Sequence, residues 1–253
     1  MISTEYVLSL YRQYSKDLRL VRRQQYWFQF WHDNMLVRRL HKKVYKPFGL
    51  NLPKLNPMLH ELEGELTYLL VRDRKPKLIL EVSPNTGWST TWILRALRDN
   101  HTEGRLRSFD LHDTCTKLVP QQLAAQRWEF IQGDCRKTLN QVEEADYLFI
   151  DSDHSQQFAE WYAEAILANV RAGTTISVHD VFYASEPTPE GKVVIDWLAL
   201  RRTGFWTASP SAAPDRTRAI MAERHRLGFT YCVNRRYGDH SMIFFQISDG
   251  IKA

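Results

Sequence analysis

The sequence predicts an α/β fold built on a doubly wound, mostly parallel sheet of seven strands. Two observations predict it. Between residues 77 and 180, short apolar runs alternate with longer segments of helical periodicity, which is the pattern of a parallel sheet with helices on both faces. Towards the C-terminus, the turn-forming residues RRYGDH separate two further apolar runs, which predicts an antiparallel hairpin that closes the sheet.

The elements follow from periodicity and from turn residues. Parallel strands are predicted at 77–82, 105–110, 128–133, 146–151 and 174–180, with helices between them at 88–99, 116–126, 134–142 and 155–171. After residue 181 we expect SEPTPEGK to be a loop, VVIDWLALRRTG a helix, ASPSAAPDRTR a polar insertion and GFTYCVNRRYGDHSMIFFQIS the hairpin. Before the first strand, Asn56 and Pro57 predict the start of a helix with a buried stripe of Leu59, Leu62, Leu66, Leu69 and Leu70.

Residues 1–52 are predicted to be a helical extension of a main domain that covers 53–253. Residues 1–46 hold ten lysines and arginines against three acidic residues, whereas the rest of the chain is slightly acidic. The second helix of the extension would present an apolar side of Trp27, Phe30, Trp31, Met35 and Leu40, and a solvent side of Arg22, Arg23, Arg38, Arg39, Lys42 and Lys43. A cap on the main domain or on a second subunit is favoured, and a membrane-surface helix or a substrate lid are the alternatives.

Composition narrows the class of protein. With 43% hydrophobic residues in 253, the chain can bury a globular core. No window is apolar enough for a membrane helix, the first residues are too polar for a signal peptide, and three cysteines without a C-x-x-C pair favour a reducing, cytoplasmic setting. Because the positive charge is confined to the extension, a nucleic-acid partner is not favoured.

The carboxyl ends of the predicted strands carry the candidate ligand-binding residues, since ligands of doubly wound sheets bind at this edge. The first strand ends at Glu81 and runs into the turn 83–87, SPNTG. Asp110 ends the second strand at the distance from the turn at which an acid binds ribose hydroxyls. Asp134 follows the third strand, where a carboxylate can accept the amine of adenine.

These segments resemble the class I S-adenosylmethionine-dependent methyltransferases. The resemblance lies in EVSPNTGWST, SFD, QGD, DYLFIDSDHS and VRAGTTISVHDVF, and it covers residues 58–247. Within that class the chain is similar to the small-molecule O-methyltransferases that include the macrocin and mycinamicin sugar enzymes and the cephalosporin-hydroxylase-like proteins. The resemblance implies a Rossmann-like fold and S-adenosylmethionine as the cofactor. The family turn is E-x-G-x-x-x-G, and this chain has Ser83 in place of the first glycine.

The resemblance also implies a set of cofactor-binding residues. They are Glu81, Ser83, Asn85, Thr86, Gly87, Ser89, Asp110, Leu111, Gly133, Asp134 and Asp151. S-adenosylmethionine has no pyrophosphate, so a serine can be accommodated in a turn where a dinucleotide would require glycine.

The ends of the fourth and fifth strands hold the residues for chemistry. Asp151, Asp153 and His154 follow the fourth strand, and His179 and Asp180 follow the fifth. Neighbouring strands lie about 4.8 Å apart, so these side chains could converge on one ion.

By resemblance, Asp151, His179 and Asp180 match the metal-ligand positions and His154 matches the general base, so that His154 and Asp151 are the predicted catalytic residues. The family tends to place two carboxylates where this chain has His179 and Asp180. The expected ion is Mg²⁺ or Mn²⁺; a histidine ligand would shift the preference towards manganese, iron or zinc, and otherwise His179 is a second base without a metal.

The predicted function is therefore O-methylation of a small hydroxylated molecule, such as a sugar or a glycosylated metabolite, by a cytoplasmic enzyme. Two alternatives remain open: an RNA or protein methyltransferase guided by the basic helices, and a non-catalytic binding module with a methyltransferase fold. A homo-oligomer is compatible with the sequence. The residues IDSDH differ from the N/D-P-P-Y/F tetrapeptide of nucleic-acid N-methyltransferases, which disfavours the first alternative.

Overall fold

A computed structural model describes residues 2–34, 39, 43, 53–230 and 241–247. The strands are β1 Leu78–Val82, β2 Arg105–Asp110, β3 Trp128–Gln132, β4 Tyr147–Ile150, β5 Thr175–Val178, β6 Phe182–Tyr183, β7 Glu186–Pro187, β8 Phe205–Thr207 and β9 Ile243–Gln246. The α-helices are α1 Thr4–Gln13, α2 Ser15–Asp33, α3 Glu61–Arg74, α4 Trp88–Asn100, α5 Gln121–Ala124, α6 Cys135–Thr138, α7 Gln156–Tyr162, α8 Pro189–Leu200 and α9 Pro214–Arg226. Short 3₁₀ turns at Asp113–Lys117 and Val142–Glu144, and a π-helical turn at Ala163–Leu167, complete the elements.

The main sheet has seven strands in the order β3-β2-β1-β4-β5-β9-β8. The first five are parallel, and β9 pairs antiparallel with β5 and β8. Successive residues of β1 face opposite layers: Ile79 belongs to the core under α3 and α4, and Leu80 to the core under α7 and α8. Both faces are therefore covered, and the predicted doubly wound α/β fold is confirmed.

The antiparallel closure of the sheet uses a different strand from the one the sequence predicts. β9 pairs with β8 at residues 205–207, which precede α9 in the chain. Phe229 and Thr230 lie outside any strand, and the remainder of the predicted first hairpin strand falls outside the described residues. The predicted polar insertion also contains the start of α9, where Pro214 occupies the first turn of the helix.

Helix α3 begins four residues later than Asn56 and Pro57 predict. His60 is its N-cap, and its ring accepts the backbone N–H of Leu62. Glu63 completes a capping box by accepting the backbone N–H of His60 at 3.0 Å. The predicted leucine stripe is buried, as expected, although Leu59 lies just before the helix.

The N-terminal extension contains the two predicted helices, but the faces of the second differ from the expectation. Arg22, expected in solvent, is 0% exposed, whereas Trp31, expected on the packed side, is 57% exposed. Trp27 and Phe30 are exposed with it, while Met35 and Leu40 lie outside the described residues. In the part of the chain that the structure describes, none of the helices combines the length and apolar character needed to cross a bilayer. Membrane-surface contact and a cytoplasmic setting stay predictions.

Candidate functional site

A single cleft opens at the carboxyl ends of β1, β2, β4 and β5, beside the point where the strand order reverses between β1 and β4. Its walls come from the segment before α3, the turn after β1 and the ends of the other three strands. The lining residues are Asn56, Met58, Leu59, Ser83, Pro84, Asn85, Trp88, Ser89, Asp110, His112, Thr114, Asp151, Ser152, His154, His179 and Asp180.

The turn after β1 keeps its tight shape although serine replaces the first glycine. Ser83 adopts φ 64° and Asn85 φ 50°, so both occupy the left-handed region. Ser83 donates its N–H to Phe109 O at 2.8 Å, which ties the turn to β2. Gly87 has φ 84°, and a Cβ there would lie 2.4 Å from Val119 Cγ2. Gly87, the second glycine of the family turn, is therefore required both by its backbone conformation and by the lack of space for a Cβ. Position 83, where the family has its first glycine, tolerates a small polar residue.

A substitution series at Ser83 tests the importance of this backbone conformation. Ser83→Val is expected to destabilise the protein by about 1–2 kcal/mol, because a β-branched residue fits the left-handed region poorly. Ser83→Gly is expected to change stability by less than about 1 kcal/mol, since easier backbone geometry is offset by a more flexible unfolded chain. Urea unfolding of the three proteins measures both values; equal stability of the valine and glycine variants would contradict the expectation.

Asp110 faces the turn from the end of β2. Its carboxylate accepts the backbone N–H of Asn85 and that of His112, each at 3.0 Å. Thr86 points away, exchanging hydrogen bonds with the backbone of Asn56 at 3.0–3.1 Å. The structure thus brings Ser83, Asn85 and Asp110 together in the cleft, while Thr86 anchors the turn to the segment before α3.

Glu81 lies beneath the cleft and is fully buried. Its carboxylate accepts hydrogen bonds from the hydroxyls of Ser89 at 2.7 Å, Thr90 at 2.9 Å and Ser108 at 2.5 Å. Burial raises the pKa of Glu81 from 4.5 to about 7, although these three donors oppose the shift. Glu81 therefore organises the start of α4 from below and does not line the cleft.

The raised pKa of Glu81 predicts a pH-dependent stability. Between pH 4.5 and about 7, the Glu81 carboxyl is protonated in the folded protein and ionised in the unfolded chain. Its contribution to the free energy of unfolding is therefore fully present below pH 4.5 and is lost as the pH rises through about 7. The loss amounts to about 3 kcal/mol. Glu81→Gln should flatten this slope, and urea unfolding of both proteins at pH 5 and pH 8 checks it; parallel pH profiles would contradict the assignment.

Three predicted cofactor residues at β2 and β3 lie outside the cleft lining. Leu111 is 60% exposed, and Gly133 occupies an extended turn with φ 145°. Asp134 caps α6 and accepts the backbone and guanidinium N–H groups of Arg136, which holds the pKa of this carboxyl below its usual range. A role for these residues in adenine binding stays a prediction.

The chemical end of the cleft brings Asp151, His179 and Asp180 together. His179 Nδ1 lies 3.1 Å from Asp151 Oδ1 and 3.3 Å from Asp180 Oδ1. Burial alone would lower the pKa of His179, but the carboxylates of Asp151 and Glu63 raise it well above its ordinary value. Burial likewise opposes the shift at Asp180, whose pKa is lowered by His179 and by the Ser241 hydroxyl that donates to it at 2.7 Å.

His154 reaches the same carboxylates from α7's side of the cleft. Its Nε2 lies 3.5 Å from Asp180 Oδ2 and 3.7 Å from Asp151 Oδ1. Its Nδ1 lies 2.8 Å from Glu190 Oε2, and Tyr162 donates its hydroxyl to the other oxygen of Glu190 at 2.9 Å. The hydrogen bond to Glu190 raises the pKa of His154 above its ordinary value. Asp151, His154 and Asp180 offer ligand atoms within 4.8 Å of one another, a spacing that could hold a metal ion.

Comparison with known proteins finds a similarity over the central part of the chain. Residues 80–181 match the family model described as a methyltransferase domain. This segment of the chain is thus similar to methyltransferase domains. The matched segment runs from β1 to the residue after Asp180, so it includes the turn, Asp110, Asp151 and both histidines. Among curated proteins, none matches the chain.

Solved structures share the fold of this chain at low sequence identity. An O-methyltransferase from Bacillus cereus in complex with SAH is 18% identical, with 84% of this chain and 97% of that chain covered and a TM-score of 0.51. TomG from Streptomyces achromogenes, in complex with SAM, is 17% identical, with coverage of 83% and 88% and a TM-score of 0.51. Cofactor-bound Rv0187 from MTB is 17% identical, with coverage of 87% and 95% and a TM-score of 0.54.

Two residues that contact the histidines of the cleft were missed by the sequence reasoning, and both lie outside the matched segment. Glu63 contacts His179, and Glu190 contacts His154. Glu63 could have been found from its place three residues after His60, where a capping box holds a glutamate. Glu190 follows Thr188 and Pro189 at the start of α8, and this helix-start pattern gives no sign of a histidine partner.

Proposed function

We propose that the protein is an S-adenosylmethionine-dependent O-methyltransferase that acts on a small hydroxylated molecule. The observation that carries the proposal is the single cleft in which the turn after β1 and Asp110 lie on one side, and Asp151, His154 and Asp180 on the other. One side is suited to an adenosyl cofactor and the other to the activation of a hydroxyl. The structural neighbours include O-methyltransferases crystallised with SAM or SAH, which agrees with this assignment.

The cofactor side is suited to a nucleoside without phosphates. Asp110 can accept ribose hydroxyls at the end of β2, as acidic residues do in this type of fold. Ser83 and Asn85 present short polar side chains and backbone where the methionine part of the cofactor would approach.

The acidic end of the cleft fits a divalent ion. Within the described residues, His179 Nδ1 is buried without an aligned hydrogen-bond partner, although two carboxylate oxygens lie within 3.3 Å of it. Asp151, His179 and Asp180 would hold the ion, because His179 Nδ1 lies nearer the two carboxylates, at 3.1 and 3.3 Å, than His154 Nε2 does, at 3.7 and 3.5 Å. When bound, it would lower the pKa of a coordinated hydroxyl of the acceptor.

His154 is the proposed general base. Its Nδ1 is engaged by Glu190, so Nε2 faces the cleft and can take the proton of the acceptor hydroxyl. The hydroxyl oxygen then forms a bond to the methyl carbon as the carbon–sulfur bond breaks and its electron pair returns to sulfur. The products are a methyl ether, S-adenosylhomocysteine and the proton on His154.

The acceptor is proposed to be a small molecule rather than a nucleic acid, because the described residues that line the cleft include three aspartates and no lysine or arginine. Phe182 and Tyr183 follow Asp180 by two and three residues, and Tyr183 is largely exposed. Both are proposed to contact the acceptor, since an aromatic surface suits the apolar faces of sugars or polyketides.

Titration calorimetry with S-adenosylmethionine and S-adenosylhomocysteine tests the proposal. We expect both ligands to bind with dissociation constants in the micromolar range or below. Asp110→Ala should weaken both, because it removes the acceptor for ribose hydroxyls. If neither ligand binds the wild-type protein at micromolar concentrations, the enzyme assignment fails.

Substitution of His154 tests its role as the base. His154→Ala is expected to lower kcat by about 100- to 10,000-fold, the usual contribution of a positioned base. The raised pKa of His154 means that the wild-type rate should increase with pH through a value above 6.5, where the ring becomes neutral. Initial rates from pH 5 to 9 measure both effects, and an alanine variant with the full wild-type rate would reject the assignment.

A further inference from the structure

Glu63 lies directly behind His179 and is held in place by groups other than the histidine. Its side chain is about as buried as any in the core, with 1% exposure. Oε2 accepts the backbone N–H of His60 at 3.0 Å, and Oε1 accepts the backbone N–H of Met242 at 2.9 Å. The N-terminus of α3 and the residue before β9 therefore fix this carboxylate independently of the cleft.

The fixed carboxylate sets the orientation of the imidazole. Glu63 Oε2 lies 3.2 Å from His179 Nε2. An ionised carboxylate only accepts hydrogen bonds, so the contact places a proton on Nε2. The opposite nitrogen, Nδ1, then faces Asp151 and Asp180. A bound cation would displace the proton from Nδ1, which would then offer its lone pair as a ligand.

The spacing at the cleft suits a shared cation. Nδ1 and the carboxylate oxygens are separated by 3.1 and 3.3 Å. Atoms that bind one metal ion at about 2.1 Å lie about 3.0–3.5 Å from one another in tetrahedral or octahedral geometry. The nitrogen and the oxygens are thus already at ligand spacing.

We propose that Glu63 is a positioning residue that presents His179 Nδ1 as a nitrogen ligand and makes this centre prefer Mn²⁺ or Co²⁺ to Mg²⁺. The inference rests on the metal-assisted function proposed above. Mg²⁺ strongly prefers oxygen ligands, whereas imidazole suits the later first-row ions. A carboxylate behind a metal-bound imidazole fixes its tautomer and strengthens its binding, and the loss of such a partner typically weakens metal affinity by about 10- to 100-fold.

The test is metal binding by the full chain after removal of metal with a chelator and dialysis. Calorimetry with MnCl₂, CoCl₂ and MgCl₂ should show at least about tenfold tighter binding of Mn²⁺ and Co²⁺ than of Mg²⁺. The visible absorption of the Co²⁺ complex gives a second readout that does not depend on turnover. Glu63→Gln should weaken Mn²⁺ and Co²⁺ binding by about 10- to 100-fold and alter the Co²⁺ spectrum. His179→Glu should shift the preference towards Mg²⁺, because it replaces the nitrogen by oxygen.

Glu65→Gln is the matched control, because Glu65 is a buried glutamate of the same helix that contacts Arg224 and Tyr11 instead of the cleft. It should lower stability and leave the metal preference unchanged. Binding of S-adenosylhomocysteine shows that each variant is folded. The inference is overturned if the wild type binds Mg²⁺ as tightly as Mn²⁺ or more tightly. It is also overturned if Glu63→Gln binds Mn²⁺ with the wild-type affinity. Either result leaves the proposed metal-assisted function intact. A wild type that binds none of the three ions overturns both, while S-adenosylhomocysteine binding still tests the methyltransferase assignment separately.

Discussion

Asp151→Ala is expected to lower kcat by at least about 1000-fold while S-adenosylhomocysteine binds within a few-fold of the wild-type affinity. Asp151 follows β4 directly, and its carboxylate contacts both His154 and His179. Its removal would take away one of the proposed metal ligands and leave Asp180 as the one carboxylate of the proposed ligand set beside the two histidines. Steady-state rates with a hydroxylated acceptor, together with calorimetry, measure the two effects.

Asp153 is the matched control for this substitution. It lies two residues further on, is exposed, and its carboxylate accepts the N–H and hydroxyl of Ser155 at the start of α7. We expect Asp153→Ala to keep kcat within about threefold, because the residue does not line the cleft. A comparable loss in both variants would show that the effect comes from local structure rather than from the cleft.

Treatment of the active wild type with EDTA shows whether Asp151 acts as a metal ligand or only through its contacts with the two histidines. If the ion activates the hydroxyl, chelation should reduce the rate to near that of Asp151→Ala, and added Mn²⁺ should restore it. Full activity in EDTA would reject metal assistance, and the carboxylate would then act only by holding the histidines.

The strand ends could be predicted because they depend on local pattern and on a general property of parallel sheets. Apolar runs that end at Asp110, Asp151 and Asp180 place their polar residues at one edge, and the structure brings these three into one cleft. Asp134 follows the same pattern, yet its carboxylate is engaged by Arg136, a neighbour whose geometry the pattern does not contain. A strand-end position therefore indicates where a side chain starts, but the local partner decides where it points.

The rest of the site depends on contacts between distant segments. Glu63 and Glu190 reach the histidines from α3 and α8, which are 116 and 36 residues away from them in sequence. Likewise, β8 rather than the nearer segment at 229–230 pairs with β9. Helix periodicity and turn residues carry no information about these contacts, because the contacts are determined by how the segments pack in the folded chain.

The burial of Arg22 in the N-terminal extension also depends on contacts with distant segments. These contacts connect the extension to the main domain. Two glutamates one turn apart on α3, Glu61 and Glu65, contact Arg22 of α2 and Arg224 of α9. Tyr11 of α1 donates its hydroxyl to Glu65 at 2.8 Å. All five side chains are buried, so a charged network joins the first two helices to the domain that carries the cleft. The extension is thus packed on the domain along α1 and the first half of α2.

Glu65→Ala is expected to destabilise the protein by about 3–5 kcal/mol, because truncation leaves two buried guanidinium groups with one of the two carboxylates that they share, that of Glu61. This is a large part of the roughly 5–15 kcal/mol that stabilises a typical folded domain. Urea unfolding followed by circular dichroism measures the change. Lys192→Ala is the control, since it removes an exposed i,i+4 pair with Asp196 and should cost less than about 0.5 kcal/mol. A Glu65→Ala variant as stable as Lys192→Ala would show that the network does not hold the N-terminal helices on the main domain.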